Sequence, residues 1–273
     1  MTSTPPIGRW NDKVVLVTGG SGGLGRSIAR AFVQAGADVV ITARGAEALE
    51  RTADELRAEG GRVTPIAADI TRDDDVERLF ATIREHCGRL DVLVNNAGLS
   101  TRSRVIDTTP DDFRGLVELN LLALVRCTRA AYPLISQQRG HIVNIGSLAG
   151  KVGSRYMGAY PASKHAVTAY TQQLRLELAD EGIHVMLVCP GPIARTDGGT
   201  RYVKEAEDLP DVASKPGGGA KVRQLDPDRL AAKIVRGCER RNAELVLPPR
   251  ARLLFAIGQL SARAGDWLVR RFT

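Results

Sequence analysis

Only four cysteines occur in the 273 residues, Cys87, Cys127, Cys189 and Cys238, with no CxxC pair and no ligand spacing among them. A disulfide scaffold and a structural metal are therefore excluded as expectations, and the thiols read as reduced. The four histidines are equally scattered. No run approaches the roughly 20 apolar residues that a membrane span requires. The opening segment MTSTPPIGRWNDK lacks the apolar centre of a signal peptide, so a cytoplasmic location is expected. Aromatic residues make up only 4% of the chain, and none interleaves with a basic stripe. The net charge of +7 is local, because five arginines against one aspartate between Arg250 and Thr273 supply +4 of it. Nucleic-acid binding is accordingly not expected.

What remains is ordinary for a globular protein: 43% hydrophobic and 25% charged residues, in a length suited to one large domain. Seven short apolar runs, at 14–18, 39–42, 63–68, 91–95, 141–145, 184–188 and 244–247, alternate with helical patterns. The helices are expected at 24–35, 46–59, 73–87, 110–137, 158–181, 227–241 and 250–271. This alternation predicts an α/β fold: a Rossmann-type doubly wound parallel sheet of about seven strands with helices on both faces, in a single domain spanning 1–273. Nearly continuous apolar strands are what a sheet covered on both faces needs. Thr109, Pro110, Asp111 and Asp112 announce the start of the fourth helix. From Leu116 to Ala131 that helix is apolar nearly all round, and Ala159, Ala162, Ala166 and Ala169 recur at helical spacing, so a homo-oligomer is expected. Residues 192–224, rich in glycine and mixed charge, read as a mobile substrate loop.

Directly after the first strand comes Thr18-Gly19-Gly20-Ser21-Gly22-Gly23-Leu24-Gly25. A strand, a glycine-rich turn and a helix in this order can cradle a pyrophosphate, since the turn permits close approach and the helix start offers free N–H groups. No Lys-Ser or Lys-Thr pair follows, which favours a dinucleotide over a nucleoside triphosphate. The second strand ends Thr42-Ala43-Arg44. An acidic residue there would bind the ribose diol of NAD, whereas Arg44, with Ser21, suits a 2′-phosphate. NADP(H) is thus the preferred cofactor, with NAD(H) the alternative.

Tyr160-Pro161-Ala162-Ser163-Lys164 places an ammonium four residues from a phenol on one helix face. Lowering a tyrosine toward neutrality needs roughly 4 kcal/mol of phenolate stabilisation. A single charge supplies that only in a partly enclosed site.

These residues together resemble the short-chain dehydrogenases/reductases over residues 12 to about 250. The turn at 18–25 fits the family's cofactor turn, Asn95-Asn96-Ala97-Gly98 its NNAG motif, Ser147 its serine, and Tyr160 with Lys164 its YxxxK. Pro190-Gly191 matches as well. Asn120 lies 27 residues before Ser147, which lies 13 before Tyr160, as in the family. The resemblance implies that Tyr160 is the general acid or base, that Lys164 lowers its pKa and binds ribose hydroxyls, and that Ser147 holds the carbonyl oxygen. It implies that Asn120 helps hold a relay water. It further implies cofactor contacts from Gly19, Ser21, Gly23, Leu24, Gly25, Asp69, Asn96, Ala97, Pro190 and Ile193. The family's threonine two residues after Ile193 is replaced by Arg195, leaving Thr196 as a doubtful contact. Tyr156, one turn earlier, is placed near the substrate.

The expectation is an NADP-dependent oxidoreductase interconverting a ketone or aldehyde, apolar or lipid-like, with its alcohol. The alternative is an NADP-binding sensor or scaffold without turnover. The basic amphipathic extension at 250–273 is expected to pack on the protein or close the pocket, with membrane-surface contact as the less favoured reading.

Overall fold

The computed structural model describes residues 10–195 and 200–272. Seven strands form one parallel sheet: β1 (Val14–Thr18), β2 (Asp38–Ala43), β3 (Arg62–Ala67), β4 (Val92–Asn95), β5 (His141–Ile145), β6 (His184–Pro190) and β7 (Glu244–Leu247). Their order is β3-β2-β1-β4-β5-β6-β7. Because the winding reverses between β1 and β4, the loops leaving those strands diverge and open a crevice at their carboxyl ends.

The apolar runs serve two cores by alternation. Val15 and Val17 of β1 face one cluster, with Ile28 and Phe32 of α1 (Gly23–Gln34), Leu49 and Leu56 of α2 (Ala46–Ala58), and Leu230 and Ile234 of a later helix, Pro227–Glu239. Val14 and Leu16 face the other, with Leu79, Phe80 and Ile83 of α3 (Asp73–Cys87) and residues 123–135. A one-residue slip in β1 would exchange these faces, so the double burial fixes its register.

Thr109 caps α4 (Pro110–Val117): its Oγ accepts from the Asp112 N–H at 3.2 Å while its own N–H donates to Asp112 at 2.9 Å. The expected helix 110–137 is not continuous. A π turn, Glu118–Leu122, separates α4 from α5 (Ala123–Gln138). The turn adds a residue to the repeat and so rotates Asn120 inward, where it is buried. Leu122 and Tyr132 are exposed, so the apolar surface of this helix is not wholly covered within one chain.

The helix expected from 158 begins only at Tyr160: α6 runs Tyr160–Glu177. Tyr156 at φ +57° and Gly158 at φ +50° turn the chain before it. Between β6 and α8 (Pro227–Glu239) lie α7 (Thr200–Glu205) and two single turns. The segment is tied at both ends, because Ile193 bridges Leu225 and the Ala194 N–H donates to the Leu225 carbonyl at 2.8 Å. Thr196 lies outside the described residues. The carboxy-terminal helix is in fact two, α9 (Ala251–Leu260) and α10 (Ala262–Phe272). Ser261 leaves helical geometry and its hydroxyl accepts from the Ala264 N–H at 3.3 Å, stopping one helix and starting the next.

Candidate active site

A cleft of about 870 Å³ runs along the carboxyl ends of the strands. One half is built by the turn at 19–25. Gly25 permits the turn to fold, since a Cβ there would lie 2.1 Å from the Gly19 carbonyl oxygen. Gly22 and Gly23, in contrast, face open space within 4 Å. The first turn of α1 has neither a side-chain cap nor an acidic residue, so its N–H groups and positive dipole end serve the cleft. Thr18 clasps the two diverging strands: its hydroxyl accepts from the N–H groups of Asn96 at 3.0 Å and Ala97 at 3.1 Å. The Asn96 amide returns a bond to the Thr18 carbonyl at 2.8 Å. Ser21, Leu24, Arg44, Asp69, Asn96 and Ala97 all line this half.

Arg44 is exposed at the tip of β2 and has no ion pair among the described residues. Asp69 accepts from the hydroxyl and N–H of Thr71, at 2.7 and 3.0 Å, and these bonds hold its carboxyl below the usual range. Thr42, in the same wall, keeps a buried hydroxyl with no partner. An open glycine cradle at an uncapped helix start, an exposed guanidinium and an orphaned hydroxyl fit a dinucleotide carrying phosphate.

Tyr160, Lys164 and Ser147 meet in the other half, with Pro190 and Ile193 beside them. Ser147 ends the turn after β5, where its Oγ accepts from the Ala149 N–H at 3.1 Å, and it lines the cleft with Tyr160. Tyr160 is half-buried in the wall of the cleft. Burial pushes that phenol up to about 12, opposed by the Ser147 hydroxyl and the Arg102 guanidinium. Burial equally pulls Lys164 down to about 8. Its Nζ lies 6.0 Å from the Tyr160 ring centre and donates to the Ile145 carbonyl at 2.8 Å. The expected depression of the tyrosine by Lys164 is therefore not produced by the protein's own groups. A buried ammonium turns to the nearest carbonyl, and desolvation outweighs it at the phenol.

Asn120 stands behind this group. Its amide accepts from the Leu99 N–H at 2.8 Å and donates to the Leu99 carbonyl at 2.9 Å and Ser163 Oγ at 3.0 Å. Its side chain thus pins the loop after β4 to α6. Gly98 leaves room for it, since a Cβ would sit 3.0 Å from Asn120 Oδ1 and 3.4 Å from Lys164 Nζ.

Sequence reasoning missed Arg102 and Tyr202. Arg102 is buried, donates to the Ala213 carbonyl at 2.8 Å, and lies 3.9 Å over the Tyr202 ring. Tyr202 shares a 2.8 Å hydrogen bond with Ser100, and all three side chains line the cleft. Arg102 comes from the loop after β4 and Tyr202 from the short helix α7, with no shared periodic signal. Tyr156, placed near the substrate by its position, instead bonds Arg155 at 2.6 Å and does not line the cleft. Its left-handed backbone swings it away.

A family profile described as short chain dehydrogenase matches residues 13–207. The human dehydrogenase/reductase SDR family member 11 is 36% identical over 195 residues, covering 69% of this chain and 75% of that protein. The ketoacyl reductase HetN of Nostoc is 30% identical over 267 residues, covering 95% and 89%. Among solved structures, an actinorhodin polyketide ketoreductase variant with NADPH superposes with TM-score 0.75 at 32% identity, over 86% of this chain and 94% of that one. A metagenomic short-chain oxidoreductase in complex with NADP gives TM-score 0.71 at 30% identity, over 87% and 97%.

Proposed function

The chain belongs to the short-chain dehydrogenase/reductase family of oxidoreductases, and from that premise we propose that it is an NADP-dependent enzyme interconverting a ketone or aldehyde with its alcohol, with Tyr160 exchanging a proton with the substrate oxygen. The reading rests above all on the convergence of Tyr160, Ser147 and Lys164 in the wall of the cleft that also holds the glycine turn. When bound, the nicotinamide supplies or accepts the hydride.

The chain's own residues divide the remaining work. The turn at 19–25 and the start of α1 hold the pyrophosphate, Arg44 and Ser21 the 2′-phosphate, and Asp69, Asn96 and Ala97 the adenosine side. Lys164 holds ribose hydroxyls, and Pro190 and Ile193 the carboxamide side. In reduction, the substrate oxygen accepts hydrogen bonds from Ser147 and Tyr160, which stabilise the charge that develops there. Tyr160 then gives up its proton. Its raised pKa keeps it protonated at neutral pH, as a donor must be. Oxidation needs the reverse, and a cation near the phenol favours it, Arg102 from the protein. Asn120 fixes the geometry by locking the loop at 98–100 to α6. Leu119, Leu148, Met157 and Pro192 give the substrate side an apolar wall, which supports a carbonyl compound with an apolar body.

Tyr160→Phe tests the proposal. The variant is expected to bind NADPH with unchanged fluorescence titration and to lose turnover by about 10²–10⁴-fold on any carbonyl substrate found in a size-graded panel. An unchanged rate refutes the role.

A further inference from the structure

We infer that the α9–α10 hairpin is a docking surface for an anionic lipid membrane. Its inner side is accounted for: Ala251 and Phe255 pack with Leu124, Val167, Leu187 and Val246, and the two helices cross at Gly258 and Gly265. A Cβ on Gly265 would lie 2.7 Å from the Gly258 Cα, so the helices touch through backbone.

The outer side is not accounted for. On α9, Leu253, Ala256 and Leu260 recur at helical spacing on the face opposite Phe255. Leu253 is 67% and Leu260 89% exposed. On α10, Arg263, Arg270 and Arg271 surround Trp267, which is 61% exposed and stacks with Arg271 at 5.7 Å. Asp266 is the one acidic residue of the 250–273 segment.

Apolar side chains at a hairpin tip and along one face, with a tryptophan ringed by arginines, match the boundary between acyl chains and headgroups. The charge decides among occupants. A second copy of the same face would set three arginines against three arginines. A nucleic acid would satisfy the arginines and leave Leu253 and Leu260 in water. An anionic bilayer satisfies both sets, because phosphates take the guanidiniums and the interface takes the leucines and the indole. The hairpin is also fastened beside the cleft: Lys221 Nζ donates to the Arg271 carbonyl at 3.2 Å, and Ala220 and Gln224 of the same loop line the cleft. Among the described residues no helix is long and apolar enough to cross a membrane, so the contact is one of lying on the surface.

Co-sedimentation of the full chain with phosphatidylcholine vesicles, with and without phosphatidylglycerol, tests this. Binding is expected only to the anionic vesicles, weakened by salt, and reduced about a hundredfold in Arg263→Gln/Arg270→Gln/Arg271→Gln. Leu260→Ser/Trp267→Ser is expected to weaken it with an unchanged unfolding midpoint, since these side chains are exposed. In Trp10→Phe, which leaves Trp267 as the sole indole, anionic vesicles are expected to shift emission to the blue. Equal partitioning to both vesicle types, or none, overturns the inference. So does a concentration-dependent dimer, seen by sedimentation, that the same variants abolish. A carbonyl reductase activity retained by both variants keeps this outcome separate from the catalytic proposal.

Discussion

His141 Nδ1 lies 2.9 Å from His184 Nδ1 where β5 and β6 begin. The His184 Nε2 is 2.9 Å from the Asn242 carbonyl, which can only accept. His184 therefore carries its proton on Nε2, and His141 donates through Nδ1 to the bare Nδ1 of its neighbour. Both rings are neutral in this arrangement. Burial, the other ring and Arg241 hold His141 down to about 3, and burial also lowers His184.

An acid-sensitive stability follows. A histidine whose folded pKa is depressed contributes stability that is present above the unfolded value near 6.5 and lost as pH falls toward the folded value. Between pH 7.5 and 5 the loss is about 2 kcal/mol for His141. Asp91, likewise lowered in the fold, adds its own loss only below the carboxylate range. Urea midpoints measured from pH 7.5 to 5 are expected to fall in the native chain and to flatten in His141→Gln. Identical slopes would remove the account.

Arg44 is expected to decide the cofactor. Arg44→Asp removes a charge-assisted bond to the 2′-phosphate and places a carboxylate where a ribose diol can meet it. NADPH affinity should fall about ten- to a hundredfold, with NADH affinity rising. Titration of both nucleotides checks this, and a retained NADPH preference would sink the assignment.

Gly25 and Gly22 should separate folding from binding. Gly25→Ala drives a Cβ into the Gly19 carbonyl and is expected to cost about 3 kcal/mol, roughly 10 °C in Tm for a chain of this size. Gly22→Ala meets nothing within 4 Å and sits at φ 174°, which any residue adopts. Its Tm should be unchanged while nucleotide affinity drops, because the methyl group occupies the cradle.

The Lys164 ammonium, lowered to about 8, should appear in the pH profile. Above that value the lysine is neutral and the charge that supports the site is gone. The reductive kcat/KM is expected to be flat below pH 8 and to fall above it, as Lys164 loses the charge with which it holds the ribose hydroxyls. Lys164→Arg should keep its charge, and so move or abolish this limb. An unmoved limb in that variant would assign it elsewhere.

The inner strands were legible because each is a short apolar run whose two faces both find helices, so Val15 and Leu16 are equally fixed by burial, while the edge strand β3 is only partly covered. Helix breaks were less legible. Ser261 interrupts a pattern that is apolar and basic on either side, and only its cap to Ala264 separates α9 from α10. The π turn at 118–122 leaves no mark in composition, yet it decides that Asn120 points at Leu99 and Ser163. Tyr156, one turn before Tyr160, was placed near the substrate by its position, and its own positive φ overruled that.

The chain order alone determined which residue types could meet: a glycine turn after a strand, a phenol four residues from an ammonium, an arginine where an acid would exclude phosphate. Those are local relations, set by helix pitch and strand ends. Only the tertiary structure decided how far water is excluded from Tyr160 and Lys164, and that Arg102, from the loop after β4, and Tyr202, from α7, join them. Desolvation depends on everything packed around a group, and no spacing along the chain encodes it.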